Sequence, residues 1–579
     1  MNNSLPVNVC RMFAVAVFAA FVASVCAATP PDLILHNGKV LTIDKDFSIQ
    51  QAVAIRGDKL QAVGASAEVL AMRGPDTRLV DLQGKTVLPG LIDSHVHPVA
   101  ASLTEFDHPI PAMDTIADVL NYVRARADAL DDGEWIEVSQ VFITRLREQR
   151  YPTRAELDKA APRNPVVFFT SPDAVLNTLA LNKSGIDKDF RVSGRGFVEK
   201  DPVTGEPTGM LRSCARYVKS VSPRRKPTEA ERLSRLEELF ADYNSVGLTC
   251  VADRSGNAAN NRLYRQLLSD ERLTVRVRVS TKVDIDGAVP EIQQSIRAVA
   301  ADPLRKGGPM LQVIGIKIFL DGGMLTGSAY LREPWGTSAI YSIADPAYRG
   351  VLFLPPESLL PIVQTAAEEG LQFTAHSVGD GAVHTLLDAY EKVSRTLPLK
   401  RPCITHSNFM SREAIDQAAR LGVVLDIQPA WLYLDARTLS VQFGEKRLRY
   451  FQPLKSLFAA GVVAGVGSDH MQKIGAARAI NPYNPFHGMW TTIAREGRWF
   501  EGQLHPEESL SREQALQLYT INNARLLFLE EQVGSLEEGK LADLVVVDRD
   551  VLTCPLADLQ ATQVLQTYLN GRQVYPRTP

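Results

Sequence analysis

Apolar and polar residues alternate in short runs at both ends of the chain. Near the start, DLILHNGKVLTI turns at Asn37-Gly38 and AVAIRGDKLQAVG turns at Gly57-Asp58. Asn-Gly between apolar runs is a strong signal of a β-hairpin. The far end repeats the pattern, because QTYLNGRQVY turns at Asn570-Gly571. Both ends are therefore predicted to be β-structure, and the simplest packing joins residues 30–87 and 528–579 into one small sheet domain.

The middle of the chain, residues 88–527, alternates short apolar runs with longer amphipathic ones. LTCVADRS, VIGIKIFLDGG and GVVLDIQP are typical of buried strands, whereas PTEAERLSRLEELFADYNSVG is typical of a helix. Strand–helix alternation predicts a parallel sheet covered by helices, and this many units predict a closed (β/α)8 TIM-like barrel. A typical barrel needs about 250 residues, so an insertion is expected after the first barrel strand, at about 101–226.

Composition narrows the class of protein. Apolar residues make up 45% of the 579 residues and charged residues 22%, and the net charge is −3. These values are typical of a soluble globular protein and give no basic surface for nucleic acid or for an anionic membrane. Oligomerisation as a homo-oligomer stays open.

The first residues have the composition of a targeting segment. Arg11 precedes the apolar run 12–25, which is followed by Val25-Cys26-Ala27. This pattern predicts a secretory signal peptide over residues 1–27 and export to the bacterial periplasm or the medium. The alternative is an uncleaved anchor, although fourteen apolar residues are fewer than the roughly twenty that a membrane span needs. Four cysteines remain after residue 27, and they are predicted to be buried free thiols. The alternative is a disulfide, which an oxidising compartment permits.

Two histidines follow a predicted strand in TVLPGLIDSHVHP. Side chains alternate along a strand, so His95 and His97 are expected to share one face, with Asp93 on the same side. Paired imidazoles suit a metal ion better than an apolar core. The alternative is a loop with two solvated histidines.

Four further polar residues end apolar runs in the middle of the chain. They are Lys317 in GIKIFLDGG, His376 in FTAHSVGD, His406 in CITHSN and Asp469 in GVGSDH. The carboxyl ends of barrel strands face the active site, so these groups are expected to converge with the histidine pair. For Lys317, the alternative is an ammonium group paired with Asp321.

Taken together, GLIDSHVHP, IKIFLDGG, TAHSVGD, ITHSN, GSDH and GSLEEGKLADLVVVD resemble the metal-dependent amidohydrolase superfamily. The resemblance is strongest to the branch that includes N-substituted formamide deformylases and related amide hydrolases. It covers nearly everything after the predicted signal peptide. It implies a distorted barrel and a β-sandwich formed from both chain ends, which agrees with the pattern described above.

The resemblance also implies a set of metal ligands. His95 and His97 would bind one divalent ion, which Asp469 would also contact. His376 and His406 would bind a second ion, and Lys317, carboxylated by CO₂, would bridge the two. Zinc is favoured by the ligand types, manganese and iron also suit them, and a site with one ion stays open.

The activity implied is hydrolysis of an amide or formamide C–N bond in a small molecule. A metal-bridged hydroxide would attack the carbonyl, and Asp469 would act as general base and then general acid. Two alternatives remain, namely a lactone or other ester hydrolase on the same site and a catalytically silent binding protein. Pro172 and Ser213 depart from the pattern of the branch near the substrate, so the acyl group and the amine are not defined.

Overall fold

The computed structural model describes residues 29–139, 141–170, 173–193, 196–212, 214–221 and 225–576. The predicted signal peptide, Pro172 and Ser213 lie outside these residues. In the part of the chain that is described, no helix is both long and apolar enough to cross a membrane.

The described residues form twenty-three strands. They are β1 Leu33–His36, β2 Lys39–Leu41, β3 Ile49–Gln50, β4 Ala52–Arg56, β5 Lys59–Gly64, β6 Arg78–Asp81, β7 Thr86–Pro89, β8 Leu91–Val96, β9 Ile136–Ser139, β10 Val166–Phe169, β11 Ala174–Leu176, β12 Phe197–Lys200, β13 Pro207–Arg212, β14 Leu248–Gly256, β15 Arg276–Lys282, β16 Leu311–Phe319, β17 Gln372–Ser377, β18 Cys403–His406, β19 Val424–Ile427, β20 Ala464–Val466, β21 Leu544–Val547, β22 Val564–Leu569 and β23 Arg572–Tyr575.

Seventeen α-helices lie between them in the described ranges. They are α1 Ser66–Leu70, α2 Pro98–Ser102, α3 Ile116–Ala129, α4 Arg154–Ala160, α5 Thr178–Ser184, α6 Glu229–Ser245, α7 Ala258–Ser269, α8 Val289–Ala300, α9 Pro356–Glu368, α10 Asp380–Ser394, α11 Arg412–Leu421, α12 Pro429–Arg447, α13 Leu454–Ala459, α14 Pro485–Ala494, α15 Arg512–Tyr519, α16 Ile521–Leu526 and α17 Leu556–Leu559.

The centre of the molecule is an eight-stranded parallel sheet in the order β8-β14-β15-β16-β17-β18-β19-β20. The sheet curls into a nearly closed barrel, because Val96 forms a parallel bridge to His470, just beyond β20. Two backbone hydrogen bonds of 2.8 Å complete this seam, from His97 N–H to the His470 carbonyl and from Asp469 N–H to the His95 carbonyl. The seam therefore brings the first and last strand ends of the barrel together, and the predicted fold class is confirmed.

The sequence explains why the barrel strands and helices form where they do. Strands such as β8 and β18 are buried at every residue, as expected for parallel strands covered on both faces. Helix α6 begins at the N-cap Thr228, whose hydroxyl and Glu231 form a capping box, and it buries Leu236 and Phe240 against the barrel. The amphipathic pattern predicted over this segment is therefore confirmed.

Strands from both chain ends share one six-stranded sheet, β23-β22-β21-β7-β2-β3, beside a four-stranded sheet, β5-β4-β1-β6. The predicted hairpins at Gly57-Asp58 and Asn570-Gly571 are confirmed, since β4 pairs with β5 and β22 with β23 in antiparallel register. The predicted hairpin at Asn37-Gly38 is wrong. There β1 pairs with β4 and β6 while β2 pairs with β3 and β7, so the turn connects two different sheets.

A separate five-stranded sheet, β12-β13-β11-β10-β9, follows the first barrel strand. It has its own apolar core, which includes Leu157 and Phe168, and it occupies the predicted insertion. The four cysteines after the predicted signal peptide are free thiols, as expected, although Cys554 is only half-buried.

Candidate metal centre and the surrounding cavity

A cavity of about 900 Å³ opens at the carboxyl ends of the barrel strands, and all six polar residues predicted from the sequence line it. These residues are His95, His97, Lys317, His376, His406 and Asp469. The histidine rings form one cluster, because the centroid distances are 5.2 Å for His95–His97, 5.0 Å for His95–His406 and 4.5 Å for His376–His406. Groups that lie hundreds of residues apart therefore meet at one site.

Asp469 contacts both histidines of the first barrel strand. Its Oδ1 lies 3.0 Å from His97 Nε2 and 3.3 Å from His95 Nε2. These three side chains can each offer one ligand atom within a space of 4.8 Å, which makes them a candidate metal site.

Local backbone geometry holds Asp469 in place. Its φ of +55° lies in the left-handed region, and its carbonyl accepts a 2.7 Å hydrogen bond from Asn481 Nδ2. His406 is also left-handed, with φ of +78°. Such backbone conformations are costly for residues other than glycine and concentrate at functional sites.

Asp93 does not line the cavity, contrary to the prediction that it shares a face with the two histidines. Its carboxylate instead accepts hydrogen bonds from the backbone N–H groups of His95 and Ser468, so it ties the first strand to the last. Between Asp93 and Val96, strand β8 has one more residue than the facing part of β14. This bulge interrupts the alternation of side chains.

Asp426 is the most important residue that the sequence analysis missed. It is 0% exposed, and its carboxylate accepts hydrogen bonds from Ser94 Oγ at 2.6 Å and from His95 Nδ1 at 2.9 Å. Arg254 Nε lies 3.5 Å away. Burial raises the pKa of Asp426 to about 6, whereas the positive charge of Arg254 opposes the shift and favours the carboxylate form.

This contact fixes the tautomer of His95. A carboxylate can only accept, so His95 Nδ1 must carry the hydrogen, and Nε2 then presents a lone pair toward Asp469. Burial, and next the charge of Lys317, keep the pKa of His95 well below its usual value. Two acceptors, His95 Nε2 and Asp469 Oδ1, therefore face each other at 3.3 Å.

A chain of hydrogen bonds also determines the tautomer of His406. Gln428 Nε2 donates to Asp426 Oδ1 at 3.2 Å, which leaves Gln428 Oε1 to accept from His406 Nδ1 at 2.7 Å. His406 Nε2 then carries a lone pair that is available to a metal ion. Its ring stacks on Trp431 with centroids 4.8 Å apart, so the orientation of the imidazole is fixed on two sides.

His376 is also neutral with a defined tautomer. Its Nε2 lies 3.3 Å from the Gly322 carbonyl oxygen, an acceptor, so the hydrogen belongs on Nε2. Nδ1 is buried without a hydrogen-bond partner. Burial, assisted by Lys317, lowers the pKa of His376 to about 3.

Lys317 is 1% exposed and lies above the ring of Phe319, 5.3 Å from its centroid. Burial lowers the pKa of its amine to about 8, although Asp426 and Asp469 oppose the shift. The alternative pairing with Asp321 is not observed. Asp321 instead accepts hydrogen bonds from the backbone N–H groups of Tyr330, Val378 and Gly379.

The donor set fits a divalent cation. A cation would reconcile the facing acceptors His95 Nε2 and Asp469 Oδ1, and it would give the buried Nδ1 of His376 a partner. Neutral imidazoles and a carboxylate are ligands that suit zinc, manganese or iron.

Much of the remaining cavity lining is apolar. It includes Phe142 from the insertion, Phe319 beside Lys317, and Leu103, Met324, Leu325, Val351, Phe353, Trp431 and Met471. The cavity can therefore hold a small molecule with a sizeable apolar group next to the polar cluster.

Comparison with known proteins agrees with this architecture. The model of a family described as the amidohydrolase family matches residues 78–575. The chain is 30% identical over 565 residues to the N-substituted formamide deformylase of Arthrobacter pascens, covering 94% of this chain and 99% of the relative. It is 25% identical over 557 residues to a putative amidohydrolase of Bacillus subtilis, covering 94% and 99%.

Solved structures share the fold. An uncharacterised metal-dependent hydrolase from Pyrococcus furiosus superimposes with a TM-score of 0.64 at 22% identity. The match covers 90% of this chain and all of that structure.

Proposed function

The chain belongs to the amidohydrolase family, and from this premise we propose that it hydrolyses the C–N bond of a small-molecule amide or formamide. One observation carries the proposal: His95 Nε2 faces Asp469 Oδ1 with a lone pair, in a cavity lined by four further polar groups predicted from the sequence. The formamide deformylase among the relatives supports an amide rather than an ester as substrate.

The residues divide into two candidate half-sites. His95, His97 and Asp469 would hold one divalent ion, and His376, His406 and a carboxylated Lys317 would complete the position of a second, with zinc favoured. When bound, a divalent ion lowers the pKa of water and polarises an acyl carbonyl as a Lewis acid.

Asp469 is the proton carrier in this proposal. It is the carboxylate of the cluster whose Oδ1 contacts both His95 and His97. It takes a proton from the attacking water and returns it to the departing nitrogen, which leaves as an amine. The left-handed backbone at Asp469 and the hydrogen bond from Asn481 to its carbonyl fix the backbone position from which this residue lines the cavity.

Carboxylation of Lys317 by CO₂ requires that its amine be neutral. The Nζ lone pair of the neutral amine attacks the carbon of CO₂, the new N–C bond forms, and one proton leaves to solvent, which converts the neutral amine into an anionic carbamate. Burial favours this step, because it lowers the pKa of the amine to about 8 and makes the ammonium form costly.

The test uses the full-length protein reconstituted with zinc. N-substituted formamides, longer N-acyl amines and lactones are incubated separately, and products are identified by mass. Release of an amine with its carboxylic acid is expected, and a chelator should abolish it. Turnover of lactones without turnover of any amide would overturn the proposal, as would amide turnover that survives complete removal of metal.

A further inference from the structure

One part of the cavity lining is rich in hydrogen-bond donors rather than apolar. It is formed by the start of α6 and by the residues after β14, and it includes Arg232, Asn257 and Asn260. The proposed reaction has no use for these groups.

Arg232 is the central residue of this part. It is half-buried in the first turns of α6, and its Nε donates one long hydrogen bond, 3.4 Å, to the Pro227 carbonyl. Among the described residues, no carboxylate lies within 4.0 Å of its guanidinium group, and the ion pairs that α6 forms use other residues. Four of its five N–H donors are therefore left for solvent or for a ligand in the cavity.

Three acids of α6 are paired with other residues. Glu231 pairs with Arg225, Glu237 with Arg272, and Glu238 with Arg235. None of these three acids pairs with Arg232.

Asp253, which also lines the cavity, is committed too. It is buried, and its carboxylate accepts hydrogen bonds from Tyr264 Oη at 2.8 Å, from Ser255 N–H at 2.9 Å and from Asn260 Nδ2 at 3.3 Å. Asn257 caps α7, because its Oδ1 accepts hydrogen bonds from backbone N–H groups of the helix. Its side-chain amide N–H groups therefore remain available as donors. Donors therefore exceed open acceptors on this side of the cavity.

We propose that the substrate carries an anionic group, a carboxylate, on the portion that lies against this wall, and that Arg232 binds it. The inference rests on the proposed function and specifies its substrate class: amides in which an apolar group also bears a carboxylate, as in N-acylated apolar amino acids. The apolar lining at Phe142, Phe319 and Phe353 accommodates the apolar group. A guanidinium group binds a carboxylate through two parallel hydrogen bonds, which gives both affinity and orientation.

A matched pair of compounds tests this assignment. N-Formylphenylalanine, as separate enantiomers, and N-phenethylformamide share the formamide and the phenyl group and differ by the carboxylate. The zinc-loaded protein should hydrolyse one enantiomer of the acid with a kcat/KM at least about tenfold higher than that of the neutral compound. Arg232→Met should raise KM for the acid about tenfold, with little change in kcat, and leave the neutral compound unaffected.

Two variants make the result specific. Arg235→Met is the control, because Arg235 lies on the same helix, donates to the Ser102 carbonyl and pairs with Glu238 without lining the cavity. It should leave both substrates unchanged. Arg232→Lys should restore part of the preference for the acid, because it restores the charge without the two-pronged geometry.

Equal effects of Arg232→Met on both compounds, or a wild-type preference for the neutral one, would overturn the inference. If neither compound is hydrolysed, the proposed function fails for this class, and calorimetric titration of the same pair still decides the question about Arg232. Binding of N-formylphenylalanine that weakens about tenfold in Arg232→Met supports the carboxylate site, whereas binding that is absent or indifferent to the substitution refutes it.

Discussion

The buried carboxylate of Asp426 lies 2.9 Å from Nδ1 of His95, although 331 residues separate them in the chain. Through this single contact Asp426 determines which nitrogen of His95 faces Asp469. Through Gln428 it also determines which nitrogen of His406 is available to a metal ion. One carboxylate on β19 therefore sets the tautomers of histidines in both candidate half-sites, as partners of metal-bound histidines commonly do.

Replacement of Asp426 by Asn should weaken metal binding. The amide lacks the charge that stabilises the His95 Nδ1–H, so zinc affinity should fall about 10- to 100-fold, as measured by competition with a chromophoric chelator. Arg254 also loses its nearest carboxylate, so the melting temperature should fall. Ser94→Ala is the control, because it removes one hydrogen bond to Asp426 and leaves the carboxylate in place. Unchanged zinc affinity in Asp426→Asn would refute the role.

Gln428→Leu should affect the two half-sites unequally. It removes the acceptor for His406 Nδ1 but leaves the contact between Asp426 and His95. We expect the zinc content, measured by mass spectrometry, to fall from two ions toward one per chain. The control is Gln417 on α11, whose side chain contacts Asp388 and Glu391 away from the cavity. Gln417→Leu should therefore retain full zinc content. Equal zinc content in the two variants contradicts the division into half-sites.

Asp469→Asn should abolish activity while preserving the fold. Asparagine tolerates the left-handed backbone at this position, and the hydrogen bond from Asn481 reaches the backbone carbonyl, which the substitution does not change. The proton carrier is lost, so kcat should fall at least a hundredfold. Asp388→Asn, at an exposed position of α10, is the matched control. In the metal-free proteins, circular dichroism should show the same melting transition for both variants. Retained activity in zinc-loaded Asp469→Asn would exclude the residue from proton transfer.

The convergence of the six polar residues could be predicted because each one ends an apolar run. Parallel strands buried on both faces have near-continuous apolar sequences, so Lys317 or His406 stands out within them, and the barrel topology brings strand ends to one side. Asp426, Gln428 and Arg254 break apolar runs in the same way, in GVVLDIQP and LTCVADRS. Their partners could not be predicted, because the contacts depend on which side chains meet inside the closed barrel.

Two local predictions were wrong because they depend on how strands pair with one another, which the sequence pattern of one strand does not show. Asp93 was expected beside His95 and His97, but the extra residue of β8 relative to β14 lets the adjacent Ser94 and His95 both reach Asp426. Asn37-Gly38 was expected to close a hairpin, but both flanking strands found partners in different sheets. Tertiary pairing overrides the local turn signal in the second case.

The protonation of Lys317 gives a pH-dependent prediction for the metal-free protein in CO₂-free buffer. Folding lowers the pKa of its amine from 10.5 to about 8. Between these two values the unfolded chain binds more protons than the folded one, so this group makes the protein more stable as the pH rises from about 8 to 10.5. Below pH 8 the full cost of burying the ammonium is present, which corresponds to about 3 kcal/mol.

Lys317→Met removes the charge at similar volume, and the metal-free variant should therefore be more stable than wild type by about 3 kcal/mol at pH 7. The difference should shrink above pH 8 and vanish near pH 10.5, as measured by urea unfolding at a series of pH values. With zinc and bicarbonate the order should reverse, because methionine cannot form a carbamate and the wild type gains stability from bound metal. A variant that is less stable than the metal-free wild type at pH 7, or a difference that does not change with pH, would show that the amine is not buried as a costly cation. Lys392→Met, on α10, supplies the matched control, since a solvated lysine should give no pH-dependent difference.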